Sequence, residues 1–92
     1  IIGMVYTIEF LPKAKEDLRA LKHSGNKSAY RKVNSLIDEL KEHPTTGTGQ
    51  PEQLKHELAG YWSRRIDKKN RLVYRIEEDI VTVVVVSAVG HY

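Results

Sequence analysis

A carboxylate, four cations, an imidazole and a phenol lie in the second half of the chain as Glu52, Lys55, Arg64, Arg65, Arg71, His91 and Tyr92. Residues of these types can cleave RNA through its own 2′-hydroxyl. A base removes the 2′-OH proton, an acid protonates the departing 5′-oxygen, and cations stabilise the extra charge on phosphorus. Their spacing alone does not bring them together. Each also has a plainer role: Glu52, directly after Pro51, can pair with Lys55 as a loop carboxylate, and Arg71 can simply flank a turn.

Other chemistries find less support. Cysteine is absent, and no two histidines stand at i, i+4 or in an H-x-E relation, so a zinc site is not expected. Gly47-Thr48-Gly49 precedes a proline rather than a helix, which argues against a phosphate-cradling loop, and no nucleophile-elbow motif surrounds a serine. His23 and His43 fall at expected helix C-termini, where an imidazolium is favoured by the dipole. His56 suits a ligand contact or a plain surface position equally.

The 92 residues suit one domain, with 40% hydrophobic and 29% charged residues. So short a chain has a thin stability margin, and without cysteine no disulfide can widen it. The apolar run Ile80 to Gly90 is about half the roughly 20 residues needed to span a bilayer. Glu9 and Pro12 break the first apolar stretch, so no signal peptide is expected. The expectation is a single cytoplasmic domain over 1–92, with no membrane contact. Residues 1–3 precede the only methionine and are set aside as an expression remnant or alternative start.

Charge is unevenly placed. Residues 47–75 carry Lys55, Arg64, Arg65, Lys68, Lys69, Arg71 and Arg75 against Glu52, Glu57 and Asp67, a net of +4, while residues 76–92 carry −3. The basic stretch is interleaved with Tyr61, Trp62 and Tyr74, a mixture suited to phosphate contacts and base stacking. A solvated hairpin with arginine stems over apolar surface would have the same composition.

The elements that must position these residues follow from periodicity. Val5 to Phe10 alternates as a half-buried strand with Tyr6, Ile8 and Phe10 on one face. Pro12 suits a helical first turn, and Ala14, Leu18 and Leu21 make one stripe on a helix ending near His23. Asn26 or Ser28 can cap a second helix whose Tyr30, Val33, Leu36, Ile37 and Leu40 recur at helical spacing to about Glu42. After a loop from Thr45 to Pro51, strands are expected at Tyr61–Ile66, Arg71–Glu77 and Ile80–Ser87, with a short extra one at Leu54–Leu58. The valine-rich last strand reads as central and covered on both faces. Trp62, Tyr30 and Tyr74 read as packing residues. The fold class is therefore α+β: an N-terminal strand, a two-helix hairpin, then a twisted antiparallel sheet, in the order β-α-α-β-β-β.

Three segments carry a resemblance: Gly49-Gln50-Pro51-Glu52-Gln53-Leu54-Lys55-His56, Gly60-Tyr61-Trp62-Ser63-Arg64-Arg65-Ile66, and Asn70-Arg71-Leu72-Val73-Tyr74. Together with a final His91-Tyr92 they closely resemble the Txe/YoeB toxins of the RelE superfamily. Over residues 4–43 the likeness extends only to the order and spacing of elements. The resemblance implies the RelE-like fold and a toxin that cuts mRNA in the ribosomal A site. Its partners would be the ribosome, mRNA and a cognate antitoxin of YefM/Axe type with an acidic tail; it leaves a homodimer open and implies no cofactor. By position, Glu52 matches the general base, His91 the general acid and Arg71 the arginine that stabilises the transition-state phosphate. Tyr92 matches a substrate-positioning tyrosine, and Lys55 and Arg65 match cations near the scissile phosphate. Ala88-Val89-Gly90 departs from the basic or aromatic residue the family often places before His-Tyr.

Two other readings of the same fold remain open. One is a non-nucleolytic, ParE-like toxin acting on DNA gyrase, which has no need of the glutamate–arginine–histidine set. The other is an inactive nucleic-acid- or antitoxin-binding module. The tail separates them from a nuclease. If His91 and Tyr92 act on RNA, deleting Tyr92 or adding a C-terminal tag should slow ribosome-dependent cleavage, while an N-terminal tag should not. Full activity in both C-terminal variants would remove Tyr92 from the site.

Overall fold

The computed structural model describes residues 5–88, with the backbone alone at Val85, Ser87 and Ala88. Strand β1 (Thr7–Phe10) leads into helices α1 (Pro12–His23) and α2 (Lys27–Leu40), followed by the two-residue β2 (Glu52–Gln53). A 3-10 turn at His56–Leu58 precedes β3 (Tyr61–Arg65), β4 (Asn70–Glu77) and β5 (Ile80–Ala88). The five strands form one sheet in the order β1-β5-β4-β3-β2. From β2 to β5 the pairing is antiparallel, and β1 adds to β5 in parallel, Thr7 opposite Ile80 and Phe10 opposite Val83.

Local chemistry sets the element ends. Pro12 opens α1, and the Asn26 side chain accepts the Ala29 N–H at 3.1 Å to cap α2. Helix α2 stops at Leu40, two residues before the expected Glu42, because the N–H groups of Lys41 and Glu42 already bond three residues back. The extra strand falls at Glu52–Gln53 rather than Leu54–Leu58. His56 takes φ 60°, a left-handed conformation that cannot continue a strand, and the chain turns away there.

Both helices lie on one face of the sheet. Ala14, Val33, Leu36 and Leu40 are buried against Leu72, Tyr74, Val81, Val83 and Val86, with Ile37, Leu18 and Leu21 packed at the margin. This is the contact that the helical stripes demand. Simple alternation along β5 would pair Val85 with Val81 and Val83, but the register shifts between Val73 and Tyr74, whose partners are Val85 and Val83. Val84 is therefore an extra bulged residue, and Val86 turns inward instead. Strand β5 lies inside the sheet between β1 and β4, though β4 holds the middle place and, among the described residues, only one face of β5 meets a helix. The face away from the helices is nonetheless buried at Thr82, which alternates with Val81 and Val83. Where β1 pairing ends, α1 takes over. Buried Asp17 accepts the Val86 N–H at 3.1 Å and is held by Lys13.

The polar centre of the fold is Arg64, whose side chain is 0% exposed. Its alternation with Ser63 and Arg65 on β3 turns it toward the helices, so it leaves the set of RNA-facing cations to which its type had assigned it. The guanidinium donates to Glu39 Oε1 at 2.7 Å, Thr46 O at 2.6 Å, Thr48 O at 3.3 Å, Tyr74 Oη at 3.3 Å and the His43 carbonyl. Tyr74 Oη in turn donates to Pro44 O at 2.6 Å, and burial raises its pKa although Arg64 works against this. Partial burial would raise the Glu39 pKa, but hydrogen bonds from Thr48 and Arg64 and the arginine's charge outweigh it, so the net shift is downward.

Removing one partner of a buried ion pair destabilises a protein by about 3–5 kcal/mol. Arg64→Ala should therefore lose most of the stability of so small a domain in a urea titration. Because Glu39 titrates below its ordinary 4.5 in the folded state, it adds stability that is complete above that pH and is lost as pH falls through the folded pKa. Glu39→Gln should be less stable at neutral pH, and its stability should fall less steeply below about pH 4.5. Parallel acid unfolding curves for the two proteins would contradict this.

Candidate active site on the open sheet face

The face of the sheet opposite the helices carries the candidate residues, and strand register brings them together. Glu52 on β2 stands opposite Ser63 on β3, which stands opposite Val73 on β4. One step along, Arg65 faces Arg71, and Arg71 faces Ser87 on β5. Since alternate residues share a face, Glu52, Ser63, Arg65 and Arg71 all project from the same side.

Arg71 sits between two oxygens. Its Nη1 is 3.3 Å from the buried Ser63 hydroxyl, to which it donates, and 3.8 Å from Glu52 Oε1. Arg71 thus belongs to β4 and faces the site rather than merely flanking a turn. The ion pair of Glu52 is with Arg71, not with Lys55 as the plainer loop role supposed. The Glu52 carboxylate is 64% exposed, open to a ligand, whereas Arg71 is 30% exposed and held from below. A cleft of about 360 Å³ opens beside this pair, with Glu52, Lys55, His56 and Arg71 among its polar lining and Leu54 and Leu58 on its wall.

The register that aligns these residues depends on the β3–β4 turn. The Asp67 carboxylate accepts the N–H groups of Lys69 and Asn70 at 2.8 and 2.7 Å and the Asn70 side-chain amide at 2.9 and 3.0 Å. Partial burial would raise its pKa, but the Asn70 and Lys69 bonds and the Lys69 charge outweigh this and lower it. Ile66 N–H to Asn70 O at 2.9 Å closes the turn, so Arg65 and Arg71 are fixed opposite each other. Loop 43–51 reaches the same strand when the Arg65 N–H bonds Gly49 O at 2.7 Å.

The structure therefore brings together Glu52, Lys55, Arg65 and Arg71 of the expected residues. His91 and Tyr92 lie outside the described residues. The last described residue, Ala88, pairs with Asn70, next to Arg71. Two further residues contribute: Ser63, unmarked in the sequence, and His56, for which the sequence left a ligand contact and a surface position open. Ser63 is visible in principle because it alternates with Arg65, and His56 reaches the cleft only because its left-handed backbone turns it there. Among the described residues, no three His, Cys, Asp or Glu side chains are grouped to hold a metal ion. No helix among them is long and apolar enough to cross a membrane.

A family model described as the YoeB-like toxin of bacterial type II toxin–antitoxin systems matches residues 10–92. Toxin YoeB of Mycobacterium bovis is 45% identical over 86 residues, spanning 94% of this chain and 98% of its own length. The solved YoeB/ParE toxin from Agrobacterium tumefaciens superposes with a TM-score of 0.83 at 32% identity, covering 94% of this chain and 99% of that one. The YoeB–YefM complex from Staphylococcus aureus gives 0.79 at 34% identity, with 95% and 98% covered. The motifs around Glu52, Arg64 and Arg71, the sheet that aligns them and these near full-length matches agree, and the chain belongs to the YoeB family of bacterial type II toxin–antitoxin toxins.

Proposed function

We propose that the chain is a ribosome-dependent mRNA endoribonuclease that works in the cytoplasm without a metal. The observation that carries this reading is the Glu52 carboxylate held 3.8 Å from Arg71 Nη1 on an open, cationic sheet face. Glu52 takes the proton of the 2′-hydroxyl, and the 2′-oxygen attacks the adjacent phosphorus. Arg71, fixed by Ser63, stabilises the added charge on the phosphoryl oxygens, with Lys55 and Arg65 beside it. The P–O5′ bond breaks, and His91 gives the leaving oxygen its proton. The products are a 2′,3′-cyclic phosphate and a 5′-hydroxyl, and no water is consumed. Tyr92 positions or stacks on a base of the substrate. The Glu52–Arg71 pair suits this chemistry, since its exposed carboxylate is available as base and its cation remains where phosphate must sit.

The same face suits an acidic antitoxin tail. A solved relative from Staphylococcus aureus is a complex with YefM, and another is a YoeB dimer. An acidic partner segment that orders on the basic stretch would exclude RNA, and a second copy of the chain is a further partner.

The deciding experiment maps cleavage on an mRNA in a purified translation system, with gyrase supercoiling assayed in parallel. Cuts within ribosome-bound codons that end in cyclic phosphate are expected. Inhibition of supercoiling without any cut would replace the reading with the gyrase-directed one. Glu52→Ala, Arg71→Ala and His91→Ala should each slow cleavage by about a hundredfold or more, the scale of an acid–base group, while the first two remain folded. Cleavage by Arg71→Ala at the wild-type rate would take the phosphate role from it. Binding of the acidic partner should abolish cleavage, and raising salt should weaken that binding.

A further inference from the structure

Glu52 arrives on the sheet from the stretch 43–51, which has no helix or strand of its own. We propose that Arg64 is a positioning residue for Glu52: its buried guanidinium fixes the course of this loop and so the seat of the carboxylate opposite Arg71. The inference rests on the reading of Glu52 as general base.

Three of the Arg64 bonds go to carbonyls of the loop, at His43, Thr46 and Thr48. A fourth goes to Glu39 Oε1, which itself accepts the Thr48 N–H at 2.8 Å. The loop is thus held from both sides at Thr48. Its two glycines let it lie close. A Cβ on Gly47 would stand 2.3 Å from Glu39 Oε1 and 3.2 Å from Arg64 Nη1, and one on Gly49 would stand 2.9 Å from Arg65 O. Both glycines have positive φ, 117° and 84°. Gln50 follows at φ 52° and turns the chain onto β3, where Glu52 pairs with Ser63, the residue beside Arg64. Only Gln50 and Pro51 separate the held Gly49 from Glu52, so little slack remains between clamp and carboxylate.

Arg64 cannot take a direct part, being fully buried on the helix-facing side. Its influence on the reaction passes through the loop. A carboxylate misplaced by about 1 Å loses much of its effect as a base, on the order of a hundredfold. Lysine at 64 would keep a charge but present a single ammonium, unable to span the acceptors that the planar fork reaches.

The test measures single-turnover cleavage of ribosome-bound mRNA by wild type, Arg64→Lys, Gly49→Ala and Glu52→Ala, and by each loop variant combined with Glu52→Ala. Gly49→Ala keeps the buried ion pair while pushing the loop from β3, so it decides the matter if Arg64→Lys fails to fold. Arg64→Lys and Gly49→Ala should slow the cleavage step by about ten- to a hundredfold, with half-saturation within about twofold of wild type. Within the Glu52→Ala background the same changes should have less than about a twofold effect, because the group they misplace is gone. A merely structural role would reduce the active fraction in both backgrounds, and equal losses there would overturn the proposal. Wild-type cleavage by folded Gly49→Ala would also overturn it while leaving the base assignment standing. Wild-type cleavage by Glu52→Ala would remove the base assignment itself.

Discussion

The structure is built around a charge that has no access to water. Arg64 offers five donors in a rigid plane, and each must find an acceptor once the side chain is buried. Neither helix nor sheet can supply so many, because their carbonyls are bonded within the elements. The acceptors come instead from an irregular loop, 43–48, whose carbonyls have no ladder of their own, together with Glu39 and the Tyr74 hydroxyl. Arginine and loop satisfy each other. Net stability of a small domain is about 5–15 kcal/mol, so a cluster whose disruption costs several kcal/mol selects one course for the loop over all others.

That constraint fixes a sidedness on which the candidate site depends. Along β3, Ser63, Arg64 and Arg65 alternate out, in and out relative to the helices. A slip of one residue would turn Trp62 and Ile66 out of the core and take Arg65 off the face that carries Arg71. The Asp67–Asn70 turn opposes such a slip from the neighbouring end of the hairpin. On β5 the bulge at Val84 performs a related adjustment, letting Val86 fill the core while Ser87 stays in the row of Arg71. Arg65 and Arg71 on this face are therefore side chains of a paired sheet, whereas Glu52 is reached through the loop and Lys55 follows β2 outside any strand.

The two faces also divide the work of the charges. Inside, the Arg64–Glu39 pair is short and heavily bonded, and it stabilises the fold. Outside, Arg71 and Glu52 stand 3.8 Å apart with the carboxylate largely exposed, a looser pair open to solvent. Ser63 supplies the link between them, buried like Arg64 beside it yet aimed at Arg71.

The sequence by itself determined the elements and their order. Hydrophobic stripes at 3.6- and 2-residue periods, Pro12, Asn26 and the Asp67–Asn70 cluster are local signals, and local signals survive without the fold. The motifs around Glu52, Lys55, Arg65 and Arg71 were legible as a resemblance for the same reason. What only the tertiary structure decided was which cation is which. Arg64 and Arg65 are chemically identical neighbours, and nothing local distinguishes the one that must be buried. The difference comes from acceptors more than fifteen residues away in sequence, gathered at Arg64 by long-range packing. The parallel docking of β1, the bulge at Val84, the inward Asp17 and the left-handed His56 share that origin. Each answers a hydrogen-bonding or packing demand from a distant segment, to which periodicity along the chain is blind.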